Sequence, residues 1–187
     1  MIDESDAVQA VRQLLAAFKI DARKHTDIEQ TPERVVKMLA EMWKGELYTN
    51  DEIASLFNKT FDTDSADMVV MSGIPCFSFC EHHLALIYNL KISVGYLPNG
   101  KVIGLSKIAR IADMVCRRLQ LQEKICTDIA EIMTKIIGDD VIVYAEGEHS
   151  CLTARGIQKC DTLTKSLFYS GRFSDDSLQQ RFFEMLR

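Results

Sequence analysis

Cys80-Glu81-His82-His83 is answered far downstream by His149-Ser150-Cys151, and a fold that uses both must bring these two short segments together. Between them they hold three of the chain's four histidines and two of its six cysteines. Two thiols and an imidazole suit a borderline-soft ion such as zinc. Cys80 and His83 are separated by two residues, so one turn of backbone can present both to a single ion. With Cys151 as the third ligand, the fourth tetrahedral position is left for water, whose pKa zinc lowers toward ~7. His82 and His149 then stand beside the ion as groups that move protons near neutrality. The alternatives are a closed structural site, with His83 or His149 as the fourth ligand, and a chain with no metal.

The redox compartment bears on that reading. No apolar run nears the roughly 20 residues that cross a bilayer. The acidic opening, Met1 to Asp6, lacks the basic-then-apolar order of a secretion signal. A cytoplasmic protein is expected, with thiols free or metal-bound and not paired in a disulfide framework. Cys116 and Cys126 fall in helical patterns and read as small buried hydrophobes. The net charge of −5 excludes a globally basic surface for nucleic acid or membrane. Any anionic ligand must therefore be held by a local cluster of Lys and Arg.

The pattern of elements changes once along the chain. Val8, Val11, Leu14, Leu15 and Phe18 recur at helical spacing. A second helix is expected after Thr31-Pro32-Glu33, with Thr31 as cap, Pro32 in the first turn and Val35, Met38, Leu39 and Met42 as its stripe. Residues 50–67 read as a polar connection with little regular structure. From Met68, β-branched and aromatic residues predict strands over 68–79 and 84–96, with a turn at Pro98-Asn99-Gly100 and a short extended piece over 101–104. Two helices follow, with stripes Leu105, Ile108, Ala109, Ala112, Val115, Cys116, Leu119 and Ile125, Ile129, Ile132, Met133, Ile136, the second ending near Gly138. Strands are expected over 141–145 and, interrupted, over 153–169, then a helix over 175–187. This is an α+β chain: a helical region over 1–66, then a β-β-α-α-β-β domain over 67–187.

Gly104-Leu105-Ser106-Lys107-Ile108-Ala109-Arg110 opens the first of the two central helices. Free N–H groups and the helix dipole there favour an anion, and Ser106, Lys107 and Arg110 share one face of the first turns. Arg155 lies four residues beyond Cys151, and Arg34 and Lys37 form a further pair three apart. On spacing alone, each of these also fits a solvated basic face.

Together, Cys80-Glu81-His82-His83-Leu84, Tyr96-Leu-Pro-Asn-Gly-Lys-Val-Ile-Gly-Leu-Ser-Lys-Ile-Ala-Arg110, Arg117-Arg-Leu-Gln-Leu-Gln-Glu123 and His149-x-Cys151-x-Thr153-x-Arg155-Gly156 resemble GTP cyclohydrolase I. Thr31-Pro32-Glu33-Arg34-Val35 is also similar to that family's second N-terminal helix. The resemblance implies a tunnelling fold, a four-stranded antiparallel sheet with two helices between its middle strands. It also implies a toroidal homodecamer with sites between subunits. The implied reaction converts GTP and water to 7,8-dihydroneopterin triphosphate and formate, the first step of pterin or folate-type synthesis. Cys80, His83 and Cys151 would bind Zn2+. His82 and His149 would transfer protons while activated water attacks purine C8, the imidazole ring opens and formate leaves. Ser106 would assist the later ribose rearrangement. Glu123, as a buried carboxylate with Gln122 beside it, would read guanine. Arg34, Lys37, Lys107, Arg110 and Arg155 would hold the triphosphate.

The chain departs from the family pattern at several positions. Ser150 and Leu152 flank Cys151 where methionines are common, so the packing that aims this ligand is expected to be looser. Ala85-Leu86 replaces a stretch that often carries proline. Cys76 stands where an aromatic is usual and, on a regular strand, shares a face with Cys80, where it would compete for zinc or oxidise with Cys80. Two other functions fit the residues: a same-fold paralogue acting on another purine nucleotide, and a non-catalytic zinc- or pterin-binding module. Glu123 argues against the first; the presence of His82, His149 and Ser106 argues against the second.

Overall fold

The computed structural model describes residues 2–20, 24, 25 and 27–187. It divides into two compact units, Met1–Lys44 and Gly45–Arg187. The first unit pairs helices α1 (Glu4–Ala17) and α2 (Thr31–Met42). Asp3 caps α1 by accepting from the Asp6 amide at 3.0 Å. In α2 the expected cap differs by one residue. Thr31 is already helical and Gln30 takes the N-cap position, because a 3-10 turn over Ile28–Gln30 leads into the helix. Pro32 sits in the first turn, where its missing N–H costs nothing.

The second unit is built on a curled five-stranded sheet. Its strands are β2 (Val69–Cys80), β3 (Ala85–Tyr96), β5 (Leu119–Gln120), β6 (Val141–His149) and β7 (Thr164–Tyr169), in the order β5-β2-β3-β6-β7. The four long strands are antiparallel, and β5 joins β2 in parallel. A separate ribbon pairs β1 (Thr60–Asp62) with β4 (Lys101–Ile103). The α+β class is as read from the sequence, but β4 and β5 break the simple β-β-α-α-β-β series. β4 falls within the extended piece read over 101–104, whereas the two-residue β5 carries no periodicity that a sequence could display.

One face of the sheet is covered by α4 (Leu105–Cys116) and α5 (Gln122–Ile137). Ile108, Ile111, Ala112 and Val115 of α4 and Ile125, Ile129, Ile132 and Met133 of α5 are fully buried against it. The sheet's own contribution shifts parity along β3. Ile87 faces the core before Asn89, and Leu90, Ile92, Val94 and Tyr96 face it afterwards. Asn89, at φ 48°, is the extra residue of a bulge. Asparagine tolerates that left-handed conformation, and its insertion exchanges the two faces of the strand. On the opposite face, α7 (Asp176–Met185) packs Phe182 with Phe173, Ile142, Met68 and Leu97. Gly95 permits this approach, since a Cβ there would lie 2.7 Å from the Phe182 ring.

Two expected segments differ. Within 50–67 the chain forms helix α3 (Asn50–Phe57) and then β1. A capping box between Thr49 and Glu52 starts α3, and Ile53 and Ala54 anchor it in the core. A helix with so few buried residues has too short a stripe to stand out from its polar flanks. The strand expected over 153–169 is extended only in β7, because Ser150–Thr153 form a helical turn, α6, and loops fill 154–163. The second unit begins at Gly45, upstream of the 66/67 division read from the sequence. Among the described residues, no helix is long and apolar enough to cross a membrane.

Candidate metal centre

Three strand ends build the centre. Cys80 is the last residue of β2, and the turn over Glu81–Leu84 closes with the His83 amide donating to the Cys80 carbonyl at 3.4 Å. Leu84 completes the reversal at φ 49° and leads into β3. His149 ends β6 opposite Ile87 of β3, and the next two residues swing Cys151 back over the same edge. β5 closes the other flank by pairing Gln120 with Cys80.

Donor atoms of Cys80, His83 and Cys151 consequently lie within 4.8 Å of one another. A tetrahedral ion of zinc's size spaces a sulfur and a nitrogen ligand roughly 3.6 Å apart, and two sulfurs roughly 3.8 Å apart. Small side-chain rotations reach that spacing, so the donor set fits a metal ion. The Cys80 sulfur lies 3.9 Å from Nδ1 of His82 and 4.0 Å from Nδ1 of His83, but only His83 completes the mutual cluster with Cys151. His82 stands edge-on to His83, with ring centroids 6.2 Å apart. Burial raises the Cys151 thiol above its usual range, neighbouring Cys80 adds to this, and Arg155 opposes it. Two thiols this close resist ionising together unless a cation joins them.

The arm carrying Cys151 is fastened by side chains that the sequence reading did not assign. Ser150 Oγ donates to the Leu86 carbonyl at 2.7 Å, and the Tyr88 hydroxyl donates to Thr153 Oγ1 at 3.0 Å. Both ends of α6 are thus tied to β3. These hydrogen bonds hold the turn where looser packing is expected from the missing methionines. No local spacing could have paired Tyr88 with Thr153, 65 residues away.

The other candidate residues divide by location. His149 Nε2 is 2.9 Å from Gln122 Oε1, burial moves its pKa below the usual imidazole range, and the Glu123 carboxylate acts the opposite way. Gln122 and Glu123 open α5 at this end of the sheet, but Gln122 is buried and Glu123 exposed, the reverse of the burial expected of a guanine reader. Arg155 is exposed beyond α6. Ser106, Lys107 and Arg110 lie at the start of α4, whose end leads through β5 to Cys80. Ser106 and Lys107 lie in its first turn, about 14–15 Å of helix rise before Cys116, and Arg110 in its second, about 9 Å before it. Arg34 and Lys37 are exposed on α2 of the first unit, where Arg34 donates to Asp27 Oδ2 at 2.7 Å.

Cys76 does not reach the centre. It lies on the face of β2 that carries Cys80, but four strand residues separate them by roughly 13 Å, beyond disulfide or shared-ligand reach. Its thiol instead hydrogen-bonds with Cys116 of α4, and that contact and burial drive the Cys116 thiol well above its usual range.

Comparison with known proteins finds matches over nearly the full length of the chain. Residues 7–187 match the family model described as GTP cyclohydrolase I. A protein named GTP cyclohydrolase 1 from Clostridium botulinum (strain Loch Maree / Type A3) is 50% identical over 184 residues, covering 95% of this chain and 93% of the relative. Proteins of the same name from Clostridium acetobutylicum and Clostridium beijerinckii are 49% and 46% identical, over 95% of this chain and 94% and 93% of their own lengths.

Proposed function

The chain belongs to the GTP cyclohydrolase I family, and from that premise we propose that it hydrolyses GTP to 7,8-dihydroneopterin triphosphate and formate. The observation that carries this reading is the convergence of Cys80, His83 and Cys151, with half-buried His149 ending β6 two residues before Cys151. The metal is zinc, held by those three residues, since paired thiols with an imidazole favour a borderline-soft ion over a hard one. When bound, zinc supplies Lewis acidity that makes water nucleophilic at neutral pH.

The protein's own groups do the rest. His149 exchanges protons with the purine at C8 and N7 as the imidazole ring opens, and His82 serves the neighbouring proton movements. Glu123, exposed at the start of α5, is free to accept from guanine N1–H and N2–H. Arg155 meets the triphosphate near Cys151. Lys107 and Arg110 hold the same anion and Ser106 acts on the ribose, contributed on the family pattern by a second copy. The enzyme is therefore a homo-oligomer, a toroidal decamer on the family pattern, with sites that one chain cannot complete. Arg34 and Lys37 join the triphosphate set on the same reading, with Arg34 exchanging Asp27 for phosphate. The catalytic tunnelling-fold domain read over 67–187 also takes in α3 and β1, since the compact unit begins at Gly45.

Incubating the zinc-loaded protein with GTP should release formate and, after oxidation, give pterin fluorescence; the chelated protein should give neither. Bound zinc with neither product would favour a binding-only module, and faster turnover of ATP would favour the altered-substrate paralogue. The fastening of α6 makes a second expectation. Ser150→Ala should weaken zinc retention roughly 10-fold, the order that losing a ligand's supporting partner costs, while Ser150→Thr keeps most of it. Competition with a chromogenic chelator reads this, and equal retention in all three proteins would show that the Leu86 contact does not aim Cys151.

A further inference from the structure

Gln122 is the first residue of α5 and its side chain is 1% exposed. Its carboxamide is fully engaged by neighbours within the chain. Nε2 donates to the Thr164 carbonyl of β7 at 2.8 Å and to the Ala145 carbonyl of β6 at 3.3 Å. An amide nitrogen has two protons, and here both point at oxygens that can only accept. Turning the amide over would set its oxygen against two carbonyl oxygens, so the hydrogen-bond network fixes its orientation. The oxygen then faces His149 Nε2 at 2.9 Å. An amide oxygen cannot donate, so Nε2 must carry the proton in that contact. Nδ1 of His149 has no hydrogen-bond partner among the described residues.

We propose that Gln122 is a positioning residue and not a reader of guanine: it fixes a proton of His149 on Nε2, so that the neutral ring is the Nε2–H tautomer and Nδ1 is the nitrogen that exchanges protons with the purine. The assignment deepens the reading of His149 given above and rests on it for its catalytic meaning. The tautomer itself rests only on the hydrogen bonds. Gln122 also ties the first turn of α5 to β6 and β7, so the ring is held by the same contacts that join the helix to the sheet. The side chain's commitment leaves it no free polar hydrogen for a ligand.

Solid-state 15N NMR of protein labelled in histidine tests the tautomer without substrate, in both the chelated and the zinc-loaded forms. The His149 signals are those missing from His149→Asn. A protonated Nε2 and an unprotonated Nδ1 are expected, and the opposite pattern in the wild-type protein would overturn the proposal whatever the activity. Gln122→Met keeps the shape and removes the contact. In that variant both tautomers should appear, kcat should fall roughly 10- to 100-fold, within what general acid–base catalysis contributes, and KM for GTP should stay within about twofold. A raised KM with kcat retained would make Gln122 a purine contact instead. If Gln122→Met does not fold, the wild-type spectrum still decides. If wild-type protein shows the expected tautomer but no formate release, the functional reading fails and the tautomer stands.

Discussion

Cys151→Ala is expected to remove zinc and turnover together. The remaining donors, Cys80 and His83, come from one four-residue turn, whereas Cys151 alone brings the second segment to the ion. Losing a partner that merely orients a ligand costs roughly 10- to 100-fold in metal affinity, and losing a ligand outright should cost more. Cys151 is only half-buried on a short turn, so the fold should survive, and thermal unfolding of the chelated variant should match chelated wild type. Metal content after dialysis and formate release are the measurements. Retained zinc with full turnover would refute the ligand role. His149→Ala should separate the two effects, keeping most of the zinc while losing hydrolysis. Equal loss of metal would instead make His149 the fourth ligand of a closed site.

Asp128→Ala should destabilise the protein by about 3–5 kcal/mol, the usual cost of leaving a buried charge without its partner. Asp128 is buried in α5 and accepts from Arg118 Nη1 at 2.9 Å. Arg118 is buried as well, and also donates to the Tyr48 carbonyl at 2.9 Å and to Asn50 Oδ1 at 2.8 Å. Removing the carboxylate strands a guanidinium that cannot deprotonate. The expected loss is a large share of the roughly 5–15 kcal/mol that typically separates folded from unfolded protein. Lys124 also contacts Asp128, at 2.6 Å, but its side chain is 57% exposed, so Lys124→Ala should cost under about 1 kcal/mol. Urea denaturation of the two variants measures the contrast, and similar small shifts would show that the Arg118 network is not a buried charge pair in energetic terms. The network has a bearing on the site, because Arg118 precedes β5, the strand that pairs with Cys80.

The helices were legible where long stripes met clear stops. α5 falls where its apolar spacing placed it, ended by Gly138 at φ 101°, and α4 does so up to Cys116, with Leu119 of the expected stripe in β5 instead. The Cys80, His83 and Cys151 group that could hold a metal was legible as well, because two thiols and several imidazoles in two short segments are chemically distinctive. α3 was not, since its evidence is a capping box and two buried residues whose burial depends on distant partners. The strand expected through 153–169 failed for a similar reason. The turn over Ser150–Thr153 is held by β3, not by its own sequence.

The sequence by itself determined which atoms are available for chemistry and the period of each long element, because residue identity and spacing are local properties. Only the tertiary structure decided how those atoms are used. It brought His83 and not His82 into the cluster with Cys151 and carried Cys76 away to Cys116. It also set both side-chain amide hydrogens of Gln122 against two carbonyls and its oxygen against His149, the contacts behind the proposed positioning role. Saturation of a buried donor depends on which backbone groups the fold sets around it, and those come from residues far away in sequence.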